Sequence, residues 1–102
     1  MLNFLKKLLV AGPNIRALLD DGAVLIDVRS AAEYKAGHVK KSINIPLDQI
    51  GQNMEKIRGM NVPVVTCCKS GVRSGIAASK LKSQGLEAYN GGGWKTVDRA
   101  LS

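Results

Sequence analysis

The sequence predicts an α/β domain with a mostly parallel sheet and helices on both faces. Two short apolar runs, at residues 23–28 and 62–66, have the composition of strands that are buried on both faces of a sheet. Segments with apolar residues at helical spacing alternate with such runs, and no long linker, repeat or low-complexity tract interrupts them. The length of 102 residues suits one hydrophobic core, so we expect a single domain over residues 1–102.

The first half of the chain carries clear helix boundaries. Pro13 suits the first turn of a short helix, and Gly22 suits its end. After the first buried strand, Ser30 and Glu33 have the spacing of a capping box, which predicts a second short helix that ends at Gly37.

The second half repeats the alternation of strand and helix. Its boundaries are set mainly by proline and glycine, which disfavour continued helix or strand. The predicted elements are a strand over 42–45, a helix from 47 to about 59, a strand over 62–66, a helix from about 73, a strand near 87–89 and a helix over 94–101.

The first segment, Met1–Ala11, has apolar residues at helical spacing, which predicts a first strand or a helix that docks on the domain. Its apolar run after Lys7 is shorter than the roughly 7 to 15 residues of a signal-peptide core. No run in the chain approaches the roughly 20 apolar residues of a membrane span. We therefore expect no integral membrane segment, with peripheral membrane contact as the alternative for this segment.

The composition favours anionic partners over nucleic acid. The net charge is +7, but the four aromatic residues are not interleaved with basic clusters, so we expect no nucleic-acid partner. An excess of positive charge attracts small anions or an acidic protein. Adjacent Cys67 and Cys68 cannot form a disulfide framework, and free thiols indicate a reducing compartment, so we expect a cytoplasmic protein. One histidine without spaced cysteine partners argues against zinc.

The segment Cys68–Ser74 carries the residues best suited to chemistry. It lies between a predicted strand and a predicted helix, where free backbone N–H groups and the positive end of the helix dipole stabilise a thiolate. Arg73 offers a planar fork for an oxyanion, and Lys69 supplies a point charge at the mouth of the loop. The alternative is a buried structural thiol, which is the usual fate of a free cysteine.

Two registers of this loop are open. Counted from Cys67, Arg73 closes a Cys-x5-Arg pattern like that of the cysteine phosphatases. In that pattern a His commonly precedes the Cys and a Gly lies three positions after it, whereas here a Thr precedes and Ser70 takes the Gly position. Counted from Cys68, Gly71 falls at that position and the loop is shorter. We therefore predict that Cys68 is the nucleophile and that Cys67 is a strand residue packed inside.

Four segments together resemble the single-domain rhodaneses across nearly the whole chain. The family has an Asp-Val-Arg segment, a Gly-His-Ile-x-Gly-Ala-x-Asn-Ile-Pro segment, a Cys-Arg-Ser-Gly-x-Arg-Ser loop and a late Gly-Gly segment. The matching segments are Asp27–Ser30, Gly37–Pro46, Cys68–Ser74 and Gly91–Trp94. The resemblance implies a rhodanese-like fold with an open, mostly parallel sheet of about five strands.

The resemblance also implies a thiosulfate sulfurtransferase. In such an enzyme the Cys68 thiolate would take a sulfane sulfur from thiosulfate, or a related persulfide donor, and pass it as a persulfide to cyanide or a thiol. Asp27, Arg29 and Ser74 match positions that support the loop. The residues that would bind the donor are Lys69, Ser70, Gly71, Val72 and Arg73. We expect no metal or organic cofactor, a small anionic donor, a thiol or acidic protein as acceptor, and a monomer.

Alternatives from other classes stay open. The chain can be a non-catalytic rhodanese-like binding or sensing module, or a phosphatase or arsenate reductase that uses Cys67. We interpret His38 as structural rather than as a general base, and Trp94 as a core residue rather than as the rim of the pocket. Lys69 stands where the family more commonly has Arg, which keeps the charge but loses the bidentate fork.

Overall fold

The computed structural model describes residues 14–102. Four strands and five α-helices alternate along this part of the chain, with two short 3₁₀ turns, Leu47–Gln49 and Gly51–Asn53, before the third helix. The strands are β1 Val24–Asp27, β2 Ile43–Asn44, β3 Val64–Cys68 and β4 Ala88–Gly93. The helices are α1 Ile15–Asp20, α2 Ala31–Ala36, α3 Met54–Gly59, α4 Val72–Ser83 and α5 Trp94–Leu101.

The four strands form one parallel sheet in the order β2-β1-β3-β4. This confirms the predicted α/β architecture. The expected number of about five strands is one too many for residues 14–102. Each of the four strands predicted in this range forms one strand of the sheet, and the range holds no fifth strand. Met1–Ala11, for which we predicted a first strand or a docking helix, lies outside the described residues.

The two faces of the sheet are covered by different helices. One face packs against α3 and α4 through a cluster that includes Ile26, Ile57 and Leu81. The other face packs against α1 and α5 through a cluster that includes Leu25 and Val97. Successive residues of a strand point to opposite faces, so the first cluster takes up Cys68 and the second takes up Cys67.

The predicted helix boundaries agree in part with the structure. The capping box at the start of α2 is confirmed, since the Ser30 hydroxyl accepts a hydrogen bond from the Glu33 N–H and the Glu33 carboxylate accepts one from the Ser30 N–H. In α1 the side chain of Asn14 caps the helix by accepting from the Ala17 N–H. The single helix predicted from residue 47 to about 59 is divided into two 3₁₀ turns and α3, since Gly51 disfavours continuous helix. Among residues 14–102, no helix has both the length and the apolar character needed to cross a bilayer.

Candidate active site

Cys68 lies at the carboxyl end of β3, where the chain turns into α4. Its Sγ accepts hydrogen bonds from the Gly71 N–H at 3.0 Å and the Ser74 N–H at 3.4 Å, and the Ser74 hydroxyl lies within donating distance at 3.3 Å. Cys68 is only 1% exposed, so its sulfur forms the floor of the loop. The loop therefore surrounds the sulfur with donors, as the placement of Cys68 between strand and helix predicts.

Glycines allow this loop to close against β4. Gly71 has φ of +99°, a conformation that side chains rarely adopt, and a Cβ there would lie 3.3 Å from the Gly92 Cα. A Cβ at Gly93 would lie 2.9 Å from the Lys69 carbonyl oxygen, which is too close. β4 also contributes one extra residue opposite β3 here, because Thr66 pairs with Asn90 and Cys68 pairs with Gly93. The strand predicted near residues 87–89 thus extends through the glycine run.

The hydrogen bonds to the sulfur favour the thiolate of Cys68. Burial is the largest single influence and opposes ionisation, but the hydrogen bonds from the side chain and backbone of Ser74 and from the backbone of Gly71 and Ser70 act in the other direction. Together they hold the pKa of the Cys68 thiol below its ordinary value. A thiol with a lowered pKa carries more of the nucleophilic thiolate at neutral pH.

Cys67 has the opposite surroundings, although it is the adjacent residue. It is fully buried in the cluster beneath α1 and α5. Burial, followed by the nearby charge of Asp27, raises the pKa of the Cys67 thiol to about 12. Cys67 therefore stays a neutral thiol near pH 7 and is poorly suited to attack phosphate or arsenate.

Arg73 carries a partner that the sequence analysis did not assign to it. Its guanidinium binds the Glu33 carboxylate at both oxygens, at 2.7 and 3.0 Å. The hydrogen bond from Arg73, followed by that from the Ser30 backbone, lowers the pKa of Glu33 to about 2. We predicted an open fork for a donor anion, but in the structure the fork already holds a carboxylate. Nothing in the sequence links positions 40 residues apart, and Glu33 is recognisable there only as a capping residue.

Asp27 and Arg29 form a buried ion pair behind the loop. The guanidinium lies 2.8 Å from the carboxylate, and the two residues are 0% and 4% exposed. Arg29 also donates to the Gly37 carbonyl at 2.6 Å and lies 4.7 Å from the centre of the Trp94 ring. These contacts join the pair to the end of α2 and the start of α5, and none of them is with the Cys68 sulfur.

The outer side of the loop borders a cleft. Lys69 and Ser70 are exposed, and the side chain of Val72 is 69% exposed. A cleft of about 650 Å³ has Lys69, Trp94 and Lys95 in its lining, together with Arg29, Glu33, Ala36 and Gly37. Trp94 also packs against the apolar cluster beneath α5. It therefore borders the cleft and belongs to the core at the same time, which our interpretation treated as alternatives.

His38 lies at the exposed end of α2 and is bonded within its own segment. Its Nδ1 lies 2.7 Å from the Tyr34 carbonyl oxygen, and its ring stacks on that of Tyr34 at 3.8 Å. This arrangement fits the structural role that we assigned to His38.

Asn90 of β4 is a site residue that the sequence analysis missed. Its side-chain amide donates to the Gly71 carbonyl at 2.9 Å and accepts from the Ser74 hydroxyl at 2.7 Å. An asparagine directly before a glycine indicates a turn, so the sequence pattern points to backbone geometry and not to this contact.

Comparison with known proteins places these features in a family. A family model described as "Rhodanese-like domain" matches residues 13–99. The chain is 45% identical over 75 residues to the uncharacterized protein YqhL of Bacillus subtilis, covering 72% of this chain and 59% of that protein. It is 33% identical over 76 residues to a tRNA sulfurtransferase of Thermoplasma acidophilum, covering 74% of this chain and 15% of that protein. Among solved structures, "rhodanese with anions from E. coli" has a TM-score of 0.69 and 32% identity, covering 79% of this chain and 95% of that one.

The coverage limits what these relatives contribute. The chain spans about three fifths of the length of YqhL and a small part of the tRNA sulfurtransferase. The activities of those whole proteins are therefore not carried over. The family model, in contrast, spans most of the chain, and the E. coli structure is covered almost completely. Together with the parallel sheet and the four sequence segments, this shows that the chain belongs to the rhodanese-like domain family.

Proposed function

We propose that this domain is a sulfurtransferase that moves a sulfane sulfur from thiosulfate, or a related persulfide donor, to cyanide or a thiol acceptor. The sulfur travels as a persulfide on Cys68. The observation that carries the proposal is the set of donor groups of Gly71 and Ser74 that lie within hydrogen-bond distance of the Cys68 sulfur. Several donors around one sulfur stabilise its anion, which is the attacking form.

In the first half-reaction the Cys68 thiolate attacks the outer sulfur of thiosulfate. A bond forms between Cys68 Sγ and that sulfur, the sulfur–sulfur bond of thiosulfate breaks, and sulfite leaves with the bonding electron pair. The outer sulfur stays on Cys68 as the terminal, negatively charged atom of a persulfide. The loop N–H groups between Lys69 and Arg73 are suited to hold that charge.

In the second half-reaction an acceptor takes the terminal sulfur. Cyanide attacks it and leaves as thiocyanate, or a thiolate attacks it and leaves as a new persulfide. The bond between the two sulfurs of the Cys68 persulfide breaks, and its electron pair returns to Cys68 Sγ. The thiolate is regenerated, so the two substrates react in turn without meeting each other.

The cations around the loop favour an anionic donor. The Arg73 fork is bonded to Glu33, so a donor sulfonate would have to displace a carboxylate to use it. Lys69 and Lys95 border the cleft and are exposed. We therefore assign the first contact with the donor to these lysines rather than to Arg73.

Intact mass spectrometry after treatment with thiosulfate tests the proposal. The wild-type protein should gain one sulfur atom, and cyanide should remove it. Cys68→Ser should abolish the gain, whereas Cys67→Ser should retain it. Circular dichroism of Cys67→Ser checks that this core substitution leaves the fold intact.

Other outcomes identify the alternative functions. A sulfur that follows Cys67 would show that the register is wrong. Absence of sulfur in a folded, donor-treated protein would favour a non-catalytic binding module. Hydrolysis of an aryl phosphate or reduction of arsenate that is lost in Cys67→Ser would favour a phosphatase or an arsenate reductase.

A further inference from the structure

The side-chain amide of Asn90 contacts Gly71 and Ser74, the two residues whose N–H groups donate to the Cys68 sulfur. Its Nδ2 donates to the Gly71 carbonyl at 2.9 Å, and its Oδ1 accepts from the Ser74 hydroxyl at 2.7 Å and from the Gly92 N–H at 2.9 Å. The Gly92 N–H can only donate and the Gly71 carbonyl can only accept. These two neighbours therefore fix which end of the amide is oxygen and which is nitrogen.

The Ser74 hydroxyl has one proton and two neighbours that can receive it. The Asn90 Oδ1 lies 2.7 Å from Ser74 Oγ, and the Cys68 Sγ lies 3.3 Å from it. The Asn90 oxygen has no proton to offer, so the short contact must use the proton of Ser74. While that bond is formed, Ser74 Oγ presents only lone pairs to the sulfur.

This arrangement suits the thiol and not the thiolate. The S–H group of neutral Cys68 can donate weakly to Ser74 Oγ, which gives a chain from Cys68 through Ser74 to Asn90. When the thiol loses its proton to solvent, the sulfur becomes an acceptor and needs a donor in place of a lone pair. Rotation of the Ser74 hydroxyl supplies that donor and breaks its bond to Asn90, whose oxygen keeps the Gly92 N–H.

We propose that Asn90 is a positioning residue that competes with the Cys68 sulfur for the hydroxyl proton of Ser74, and so sets how readily Cys68 ionises. The inference rests on the proposed function, because it concerns the nucleophile of that reaction. Asn90 holds the hydroxyl in the thiol state and releases it in the thiolate state. Only the direction of the O–H bond changes, and no proton passes between Ser74 and Asn90.

The same amide has a second, opposite effect. By donating to the Gly71 carbonyl, Asn90 stabilises the loop conformation in which the Gly71 N–H donates to the sulfur at 3.0 Å. A substitution of Asn90 thus removes a competitor and a support together. The two effects are separable, because only the competition requires the hydroxyl of Ser74.

The charged groups around Cys68 are the same in the wild type and in the alanine variants of Asn90 and Ser74. From α4 the sulfur faces Arg73, which is paired with Glu33 of α2, and its neighbour on β3 is the neutral thiol of Cys67. Asp27 of β1 faces Cys67 on the other side of the sheet. Substitutions at Asn90 and Ser74 remove none of these groups.

A double-mutant cycle tests the competition. The pKa of Cys68 is measured from the ultraviolet absorbance of the thiolate across pH in the wild type, Ser74→Ala, Asn90→Ala and the double variant, with Cys68→Ser as the baseline. Ser74→Ala should raise the Cys68 pKa by about one unit, because a donor to a charged group is lost. The effect of Asn90→Ala on this pKa is then compared between the protein with Ser74 and the protein with Ala at that position. In the protein with Ser74, Asn90→Ala should lower the pKa more, or raise it less.

The sign of this coupling decides the outcome. If Asn90 only supports the loop, the effect of Asn90→Ala is equal in the two backgrounds, or raises the pKa more when Ser74 is present, and either result overturns the proposal. Asn90→Asp serves as a second variant, including the case in which Asn90→Ala does not fold. Its carboxylate accepts the Ser74 proton more strongly, so its coupling with Ser74 should have the opposite sign to that of Asn90→Ala. An equal sign would contradict the competition.

Two controls accompany the cycle. Ser79→Ala makes the same chemical change on the exposed face of α4 and should leave the Cys68 pKa unchanged. The titration needs no sulfur donor, so it gives an answer whether or not a persulfide forms. Failure of the proposed function and failure of this inference are therefore distinguishable.

Discussion

Cys67 and Cys68 are joined by one peptide bond and have opposite chemical environments. Cys68 faces the loop and lies within hydrogen-bond distance of three donor groups of Gly71 and Ser74, whereas Cys67 faces the core beside Asp27. The pKa of Cys68 lies below its ordinary value and that of Cys67 is raised to about 12. The alternation of a β-strand thus places one thiol where ionisation is favoured and the next where it is opposed.

The largest expected effect is the difference in reactivity between the two thiols. With a pKa of about 12, Cys67 is a thiolate at pH 7 in on the order of one molecule in 10⁵. A small uncharged alkylating reagent at neutral pH should therefore modify Cys68 in the native protein and leave Cys67 unmodified. Peptide mass spectrometry checks this, and alkylation in urea, where both thiols should react, is the control. Equal native labelling would remove the distinction.

Arg29→Ala tests how much the buried ion pair beside Cys67 contributes to the stability of the fold. The variant leaves the Asp27 carboxylate buried without its partner, which should lower the free energy of unfolding by about 3 to 5 kcal/mol. Urea unfolding measures this loss. Arg16→Ala is the matched control, because Arg16 pairs with Asp20 in an exposed pair that should contribute less than about 1 kcal/mol. A similar loss in both variants would show that burial of the pair is not decisive.

Gly71→Ala disturbs the loop that surrounds Cys68. The φ of +99° at this position costs an L-residue about 1 to 2 kcal/mol, and the loop would have to shift to relieve it. We expect this loss in urea unfolding and a rise in the Cys68 pKa, since the Gly71 N–H would leave the sulfur. Gly51→Ala, where a Cβ meets nothing within 4 Å, should cause neither change.

The smallest expected effect concerns the link between α2 and the loop. The pKa of Glu33 is about 2, below its ordinary value of 4.5, so its pairing with Arg73 stabilises the fold above pH 4.5 and loses this effect as the pH falls towards 2. Unfolding in urea across this range should show a steeper acid loss for the wild type than for Glu33→Gln. Arg73→Ala should lie between the two, because the hydrogen bonds of Ser30 still lower the pKa of Glu33 when Arg73 is absent. Equal slopes in all three proteins would contradict the assignment.

The sequence predicted the parts of this molecule that depend on local pattern. Alternating apolar runs predicted the parallel sheet, and the Ser30 to Glu33 spacing predicted the capping box. The position of Gly71 relative to the two cysteines predicted which thiol the loop would surround. These features depend on residues within a few positions of one another, where backbone periodicity decides which groups meet.

The contacts that the sequence did not predict join distant segments. Glu33 reaches Arg73 because α2 and α4 follow neighbouring strands of the sheet, β1 and β3, and Asn90 reaches Ser74 because β4 pairs with β3, the strand that precedes α4. Neither the side-chain directions nor the extra residue of β4 opposite β3 has a signal in the local pattern. We predicted that the Arg73 guanidinium binds a donor anion, and we missed the Glu33 carboxylate because the two residues are distant in sequence.

The close approach of the glycine run to the loop has a consequence for protein engineering. A Cβ at Gly91 would lie 2.8 Å from the Thr66 carbonyl oxygen, and one at Gly93 would lie 2.9 Å from that of Lys69. The backbone of β4 therefore lies too close to β3 and the loop for side chains at these two positions. A graft of Cys68–Ser74 into another scaffold would need Asn90–Gly93 transplanted with it, and libraries that randomise one segment while fixing the other would sample mostly incompatible pairs.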